Sequence, residues 1–350
     1  MQDDKRSELS ELGEFGLIDH LTKNIKMKNK SSLYGIGDDA AVISYAEKAT
    51  LVSTDLLVEG VHFDLGYTPL KHLGYKAAVV NFSDIYAMNG TPEQLTVGIA
   101  LSNRFSLEAV DAIYEGIRLA CERYHVDLVG GDTTSSNSGL FLGLTVIGSA
   151  DPGKVVYRNT AKENDLICVS GDLGAAYMGL LVLEREKQVF KANPDMQPDL
   201  SGMDYILERQ LKPEARSDIG RILEGIGVKP TAMIDISDGL ASDIKHICKG
   251  SNLGCTIYTD KLPIDPLTIN VASEFNLDPH TAVMNGGEDY ELLFTISTTD
   301  YDKVKDLAGI SVIGHMTDAG SGMNLVTPDG MAIAIKAQGW DGLKDKRTER

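Results

Sequence analysis

Three stretches of this chain share a local design in which a short apolar run ends and an aspartate follows at once. They are Thr50-Leu51-Val52-Ser53-Thr54-Asp55, Leu128-Val129-Gly130-Gly131-Asp132 and Met233-Ile234-Asp235-Ile236-Ser237-Asp238-Gly239-Leu240. Ligands of α/β proteins collect at strand ends, where a rigid strand holds ligating oxygens in place. Small residues beside each aspartate leave backbone N–H groups open to a phosphate. The chemistry this points to is that of hard cations. Mg2+ takes oxygen ligands, keeps several waters and often uses one or two carboxylates per ion, so scattered aspartates suit more than one ion around a polyphosphate.

Two further acidic positions belong with these. If Asp84 is helical, its neighbours at −7, −4, +3 and +4 are Ala77, Val80, Ala87 and Met88, which puts a carboxylate in an apolar stripe. Such a group is costly unless it is paired or on a metal; a bond to a nearby cap or backbone group is the plainer alternative. Asp38 and Asp39 follow Gly35-Ile36-Gly37 and precede Ala40-Ala41-Val42-Ile43. Adjacent aspartates after such a turn can bridge cations, or can simply be solvated. His62 closes the segment that begins at Ser53, and taken alone it reads more readily as structural than functional.

Several near-motifs fail on context. Gly35-x-Gly37-x-x-Ala40 is followed by a strand pattern rather than a helix, so it is not a dinucleotide fingerprint. Gly148-x-x-x-x-Gly153-Lys154-Val155 lacks the hydroxyl a P-loop needs and carries Pro152. Asp235-x-Ser237 has its glycine one position early for a calcium loop, with His246 at the twelfth position. No H-E-x-x-H, Cys/His cluster or Gly-x-Ser-x-Gly occurs.

The elements that must position these residues alternate. Strands are predicted at 51–53, 94–101, 128–130, 140–148, 166–170, 232–236, 255–259, 292–296 and 311–315, and helices at 71–88, 107–124, 174–186, 218–224, 240–249 and 301–307. Gln188–Gly202 reads as an exposed excursion and Lys344–Arg350 as a frayed tail. Asp151-Pro152-Gly153 is a turn signal after an apolar run. It divides the 350 residues into 1–150 and 151–350, in keeping with about one domain per 150 residues.

With 33 basic and 51 acidic residues the net charge is −18, which argues against a nucleic-acid partner. Nucleotides remain compatible, because Mg2+ between carboxylate and phosphate reverses the local sign. The four cysteines form no C-x-x-C pair, Met1–Lys5 has no apolar signal core, and there is no run of about 18 apolar residues. A cytoplasmic protein with no membrane span is expected.

Together these residues resemble the thiamine-monophosphate kinase family, in the superfamily that includes aminoimidazole ribonucleotide synthetase and selenophosphate synthetase. The matching segments are Gly13-Glu14-Phe15-Gly16-Leu17-Ile18, Gly35-Ile36-Gly37-Asp38-Asp39-Ala40, Ser53-Thr54-Asp55 through Gly60-Val61-His62-Phe63, Tyr75-Lys76-Ala77, Asn81-Phe82-Ser83-Asp84 and Gly130-Gly131-Asp132-Thr133-Thr134. The most specific pair is Asp235-Ile236-Ser237-Asp238-Gly239-Leu240 followed by Gly286-Gly287-Glu288-Asp289-Tyr290-Glu291-Leu292. The resemblance implies an α/β first domain and an α+β second domain, a two-domain aminoimidazole ribonucleotide synthetase-like fold. It also implies a homodimer formed by the N-terminal mixed sheets, with ATP in the cleft between domains. By the same resemblance Asp39, Ser53, Thr54, Asp55, Asp84, Asp132, Asp235 and Asp238 hold Mg2+. Asp55, Asp84, Asp132 and Asp235 are the catalytic set; Tyr114, Gly131, Asp132, Arg158 and Ser237 contact ATP; His62, Glu288 and Trp340 contact thiamine monophosphate. Ser135 departs from the pattern, since many relatives carry arginine after Gly-Asp-Thr-Thr.

The implied reaction is ATP-dependent phosphorylation of thiamine monophosphate to thiamine diphosphate by in-line γ-phosphoryl transfer. Its acceptor oxygen is already anionic at pH 7, so no general base is required. Arg158 is a reasonable clamp on the triphosphate. Trp340, the only tryptophan, could stack on the cationic thiazolium or anchor the C-terminal segment by packing. The rivals are a superfamily enzyme acting on an amide or selenium acceptor and a non-catalytic nucleotide-binding dimer; no cysteine near the N-terminus argues against selenium chemistry.

Overall fold

The computed structural model describes residues 32–34, 37–45 and 47–336. Gly13–Ile18, Gly35, Ile36, Trp340 and the 344–350 tail therefore lie outside the described residues.

The first half builds a six-stranded sheet from β1 (Ser32–Tyr34), β2 (Ala41–Tyr45), β3 (Lys48–Val58), β4 (Thr91–Leu101), β5 (Asp127–Ser135) and β6 (Phe141–Ala150), in the order β1-β2-β3-β6-β4-β5. Every pairing is antiparallel except β4 with β5, which are joined by a helical crossover. On β6 burial alternates strictly along the strand, as a half-covered sheet requires. The covering layer is α1 (Leu70–Ala87), with α2 (Leu107–Tyr124) beside it. The two helices meet through reciprocal glycines. A Cβ on Gly74 would lie 1.9 Å from the Ile113 carbonyl oxygen, and one on Gly116 1.9 Å from that of Lys71. Backbone therefore touches backbone, which only glycine permits.

The second half builds a seven-stranded sheet from β7 (Leu166–Ser170), β8 (Ala232–Asp235), β9 (Leu253–Tyr258), β10 (Leu292–Ile296), β11 (Ile310–Asp318), β12 (Met323–Val326) and β13 (Ala332–Ala334), in the order β13-β12-β9-β11-β7-β10-β8. Its helices are α3 (Ala175–Ala192), α4 (Asp204–Leu211), α5 (Ile219–Gly225), α6 (Leu240–Ser251), α7 (Pro266–Glu274), α8 (Pro279–Asn285) and α9 (Tyr301–Val304). The core under the first sheet is closed by Val155, Ala215 and Tyr290 from later in the chain. Among the described residues no helix is long and apolar enough to cross a membrane.

Three expectations change. α3 runs on to Ala192, so the excursion begins only there and ends at a helix, α4, that the 3.6-residue pattern did not reveal in eight residues. α7 and α8 were also not anticipated, although each opens with Asp-Pro, an aspartate cap with proline at the first helical position. Finally, α1 has no single apolar stripe. Every residue from Leu73 to Ser83 is buried, because sheet, α2 and the second half enclose the helix on all sides.

Candidate functional site

The site forms where α1, β3, the turn before β2 and the end of β8 converge. Asn81, Ser83 and Asp84 lie in the last two turns of α1. Asp84 Oδ2 accepts the Ser53 hydroxyl of β3, and that hydroxyl also donates to the Asp39 carbonyl oxygen at 3.0 Å. Asn81 Oδ1 accepts the backbone N–H of Asp55 at 3.2 Å, and Ser83 donates to Asp235 Oδ2 at 2.6 Å across 152 residues of sequence. Carboxylate oxygens of Asp39, Asp84 and Asp235 lie within 4.8 Å of one another. Asp84 is thus neither a helix cap nor a lone buried acid; it is one of a cluster.

Arg158 separates the roles of the two adjacent aspartates. Asp38 receives the Arg158 backbone N–H at 3.1 Å on one oxygen and Nε at 3.3 Å on the other. Asp39 receives only the guanidinium, at 2.9 Å on Oδ1, and its buried Oδ2 has no hydrogen-bond partner. Asp38 is a structural clamp on Arg158. Asp39 keeps an oxygen turned to the cluster.

So many carboxylates cannot all ionise easily in one buried place. Burial raises Asp39 and Asp84 well above the ordinary carboxylate range, and neighbouring aspartates add to it; at Asp39 the Arg158 charge opposes the shift. Asp235 is also raised, by burial, against the Ser83 hydrogen bond and the Arg158 charge. Asp55 is pushed up to about 6 by burial and by Asp235, against a hydrogen bond with Asp84. An all-oxygen donor set, an unpartnered buried oxygen and mutual repulsion are what a hard divalent cation would relieve.

The remaining predicted residues are distributed around this centre. Ser237 follows Asp235, and its carbonyl oxygen accepts the Glu288 N–H at 2.7 Å. Asp238 is half-buried, and its N–H is directed to Asp243 Oδ2 at 3.3 Å. Glu288 pairs with the Nζ of buried Lys76 at 2.8 Å and accepts Gln210 Nε2 at 2.7 Å. His62 is exposed, and its Nδ1 accepts the Val58 N–H at 3.1 Å. Tyr114 is half-buried on α2, packed on the first core. Thr54 donates to the Leu144 carbonyl oxygen at 2.8 Å on the exposed side of β3. Gly131 and Asp132 do not join the cluster. They sit on β5, an edge strand exposed along its whole length. Pairing aligns Asp55 with Leu144, Leu144 with Val97 and Val97 with Gly131, three strand spacings or about 14 Å across the sheet. The next row runs Leu56, Gly143, Gly98, Asp132 on the face away from α1, and the Leu56 side chain lies over Gly143.

Sequence reasoning missed several residues. Asp243 is buried in the first turn of α6 and raised well above the ordinary range by burial and by Asp238, Asp235 and Asp39. Its signal was legible as an acid in the first turn after Gly239. Lys76, named only within the Tyr75-Lys76-Ala77 segment, is a buried cation whose partners come from residues 210 and 288, and only the fold supplies them.

Comparison with known proteins shows the family and the fold. Residues 37–150 match the family model described as AIR synthase related protein, N-terminal domain. The thiamine-monophosphate kinase of Bacillus subtilis is 33% identical over 341 residues, 95% of this chain and 100% of that protein. The chain belongs to the thiamine-monophosphate kinase family. It is accordingly an enzyme of the kinase type, with the aminoimidazole ribonucleotide synthetase-like fold. The solved structure of AaThiL complexed with AMPPCP and TMP superposes with a TM-score of 0.81 at 30% identity, covering 97% of this chain and 99% of that one. The HypE–HypF complex, at 16% identity and a TM-score of 0.68 over 92% of this chain and 99% of that one, shares the fold alone.

Proposed function

We propose that this enzyme transfers the γ-phosphoryl group of ATP to thiamine monophosphate, giving thiamine diphosphate and ADP. The observation that carries the reading is the meeting of carboxylate oxygens of Asp39, Asp84 and Asp235 within 4.8 Å of one another, in a chain of this family. The relative solved with AMPPCP and TMP supports the substrate pair.

An oxygen of the acceptor phosphate attacks the γ-phosphorus, the bond to the β-phosphate oxygen breaks, and ADP leaves. That acceptor oxygen is already anionic at pH 7, so the transfer requires no general base. Asp39, Asp55, Asp84 and Asp235, with Ser53, Thr54, Asp132 and Asp238, are the residues that would hold Mg2+. When bound, Mg2+ neutralises phosphate charge and aligns the reacting oxygens. Arg158 is fixed by Asp38 beside the cluster, where its guanidinium serves the triphosphate. Tyr114, Gly131, Asp132 and Ser237 are the other ATP contacts of this reading, and His62, Glu288 and Trp340 the acceptor contacts.

The working form in this reading is a homodimer joined through the first sheets. Leu56, Leu128 and Val129 are 65%, 37% and 57% exposed on β3 and β5, apolar side chains that such a pairing would help to cover. The division into 1–150 and 151–350 follows the end of β6 at Ala150. All four cysteines are buried thiols, which suits a reducing, cytoplasmic setting.

One incubation tests the reaction: ATP, Mg2+ and thiamine monophosphate, with products separated. Thiamine diphosphate and ADP should appear in equal amounts. Failure to form thiamine diphosphate while the folded protein binds ATP would remove the reading.

A further inference from the structure

The Gly286–Glu291 loop carries two non-glycine residues in the left-handed region, Glu288 at φ 59° and Tyr290 at φ 50°. Each such residue is strained for a side chain with a Cβ and persists only where its surroundings over-determine it. Part of the restraint comes from the front. The loop is zipped onto the segment that carries Asp235 and Asp238, by Glu288 N–H to the Ser237 carbonyl oxygen at 2.7 Å and Tyr290 N–H to that of Ile236 at 2.9 Å.

The rest comes from behind, through α4. Arg209 sends one guanidinium nitrogen to Glu291 Oε1 at 2.9 Å and the other to the carbonyl oxygens of Asp289 at 3.2 Å and Asp172 at 3.1 Å. A single planar fork thus ties the loop at 289 and 291, on either side of left-handed Tyr290, to the turn after β7. Glu291 is held in addition by Arg216 at 2.6 Å and by the Ser170 hydroxyl. The next residue of α4, Gln210, donates directly to Glu288 and lends its carbonyl oxygen to Lys76 at 2.9 Å. The geometry places the Tyr290 ring in the core under the first sheet, among residues that reach the loop only across the interface of the two halves.

We propose that Arg209 is a positioning residue for the acceptor side of the site: it holds the Gly286–Glu291 loop in its left-handed form, so that Glu288 and Tyr290 stand against the carboxylate cluster. It acts through the loop and touches no reacting atom. Lysine would keep the charge but cannot make the three-way tie, because an ammonium lacks the rigid planar fork.

This inference rests on the kinase reading, and turnover by the unaltered enzyme keeps the two apart. An inactive wild type overturns the reaction; an active wild type with unaffected variants overturns only the role of Arg209. In Arg209→Lys, kcat/KM for thiamine monophosphate should fall by about 10–100-fold, the range for losing a residue that orients a site. The fall should include a rise in the acceptor KM, while the KM for ATP stays within about twofold, because the ATP-side residues are outside the loop. Arg209→Ala should lose more, and millimolar guanidinium should restore part of its activity saturably where equal NaCl does not. A fall in kcat alone, with acceptor KM unchanged and no guanidinium rescue, would mark a purely structural residue and overturn the proposal. Should Arg209→Ala fail to fold, the KM and kcat split in Arg209→Lys decides by itself.

Discussion

The Asp235–Asp238 segment and the Gly130–Thr134 segment start from the same local plan, a short strand with aspartate and small residues at its end. In the folded chain Asp235 does end β8 while Asp132 lies inside β5, and the two finish in opposite surroundings. Asp235 is 3% exposed, bonded to Ser83 and gathered with Asp39 and Asp84. Asp132 lies on an edge strand with every residue exposed. The difference teaches that the plan supplies a carboxylate on a rigid support, whereas its electrostatic character comes from what packs over it. α1 covers the inner face of the first sheet and meets β8; nothing among the described residues covers the outer face of β5.

The comparison breaks most decisively at the buried end. Asp235→Asn or Asp55→Asn should reduce kcat by about 10³-fold or more while the fold survives, since each removes a ligating charge from a preorganised site. Near-normal turnover of either variant in saturating Mg2+ would dissolve the cluster's role. At the exposed end Asp132→Asn should cost less, about 10–100-fold and mainly in the KM for ATP, as expected of a residue outside the buried group. Equal losses in kcat from both ends would mean that the two regions form one site in the dimer.

Protons sharpen the contrast further. Asp55 is pushed up to about 6, so it is largely protonated below that pH and ionised above it. Cation binding must displace that proton, so the Mg2+ concentration for half-maximal rate should rise by about fourfold from pH 8 to pH 5.5. In the cation-free protein the sign for stability is the reverse of a salt bridge. A carboxylate raised above its unfolded value of about 4 stabilises the fold at low pH, and that contribution is lost as pH climbs through about 6. Added Mg2+ should therefore raise the melting temperature more at pH 8 than at pH 5, and a flat response would argue that Asp55 stays clear of the metal. The smallest effect belongs to the edge: Ser135→Arg should lower the KM for ATP by about two- to threefold, the gain of one exposed charge-assisted contact.

Much of this was legible before any coordinates. The strand end at Asp235, the helix carrying Asp84 and the order of the two late motifs all follow from local apolar runs, small residues and a period of 3.6. Asp55 and Asp132, expected just past strand ends, instead lie inside β3 and β5, which run on to Val58 and Ser135 because neighbouring strands continue the pairing there. The paired glycines Gly74 and Gly116, the buried ion pair of Lys76 with Glu288, and α4 with Arg209 were not legible. Each depends on a partner far along the chain, and no local pattern records which distant segment will arrive.

The sequence by itself determined the family, the alternation of strands and helices, and which residue types could hold a cation beside a polyphosphate. Only the tertiary structure decided that Asp38 clamps Arg158 while Asp39 keeps a bare oxygen, that Asp84 meets Asp235, and that Asp132 stays at an edge. Propensity and periodicity act over a few residues, so they are written locally. Burial and Coulomb coupling act over a few ångströms of space, and the distances that set them exist only once the chain has folded.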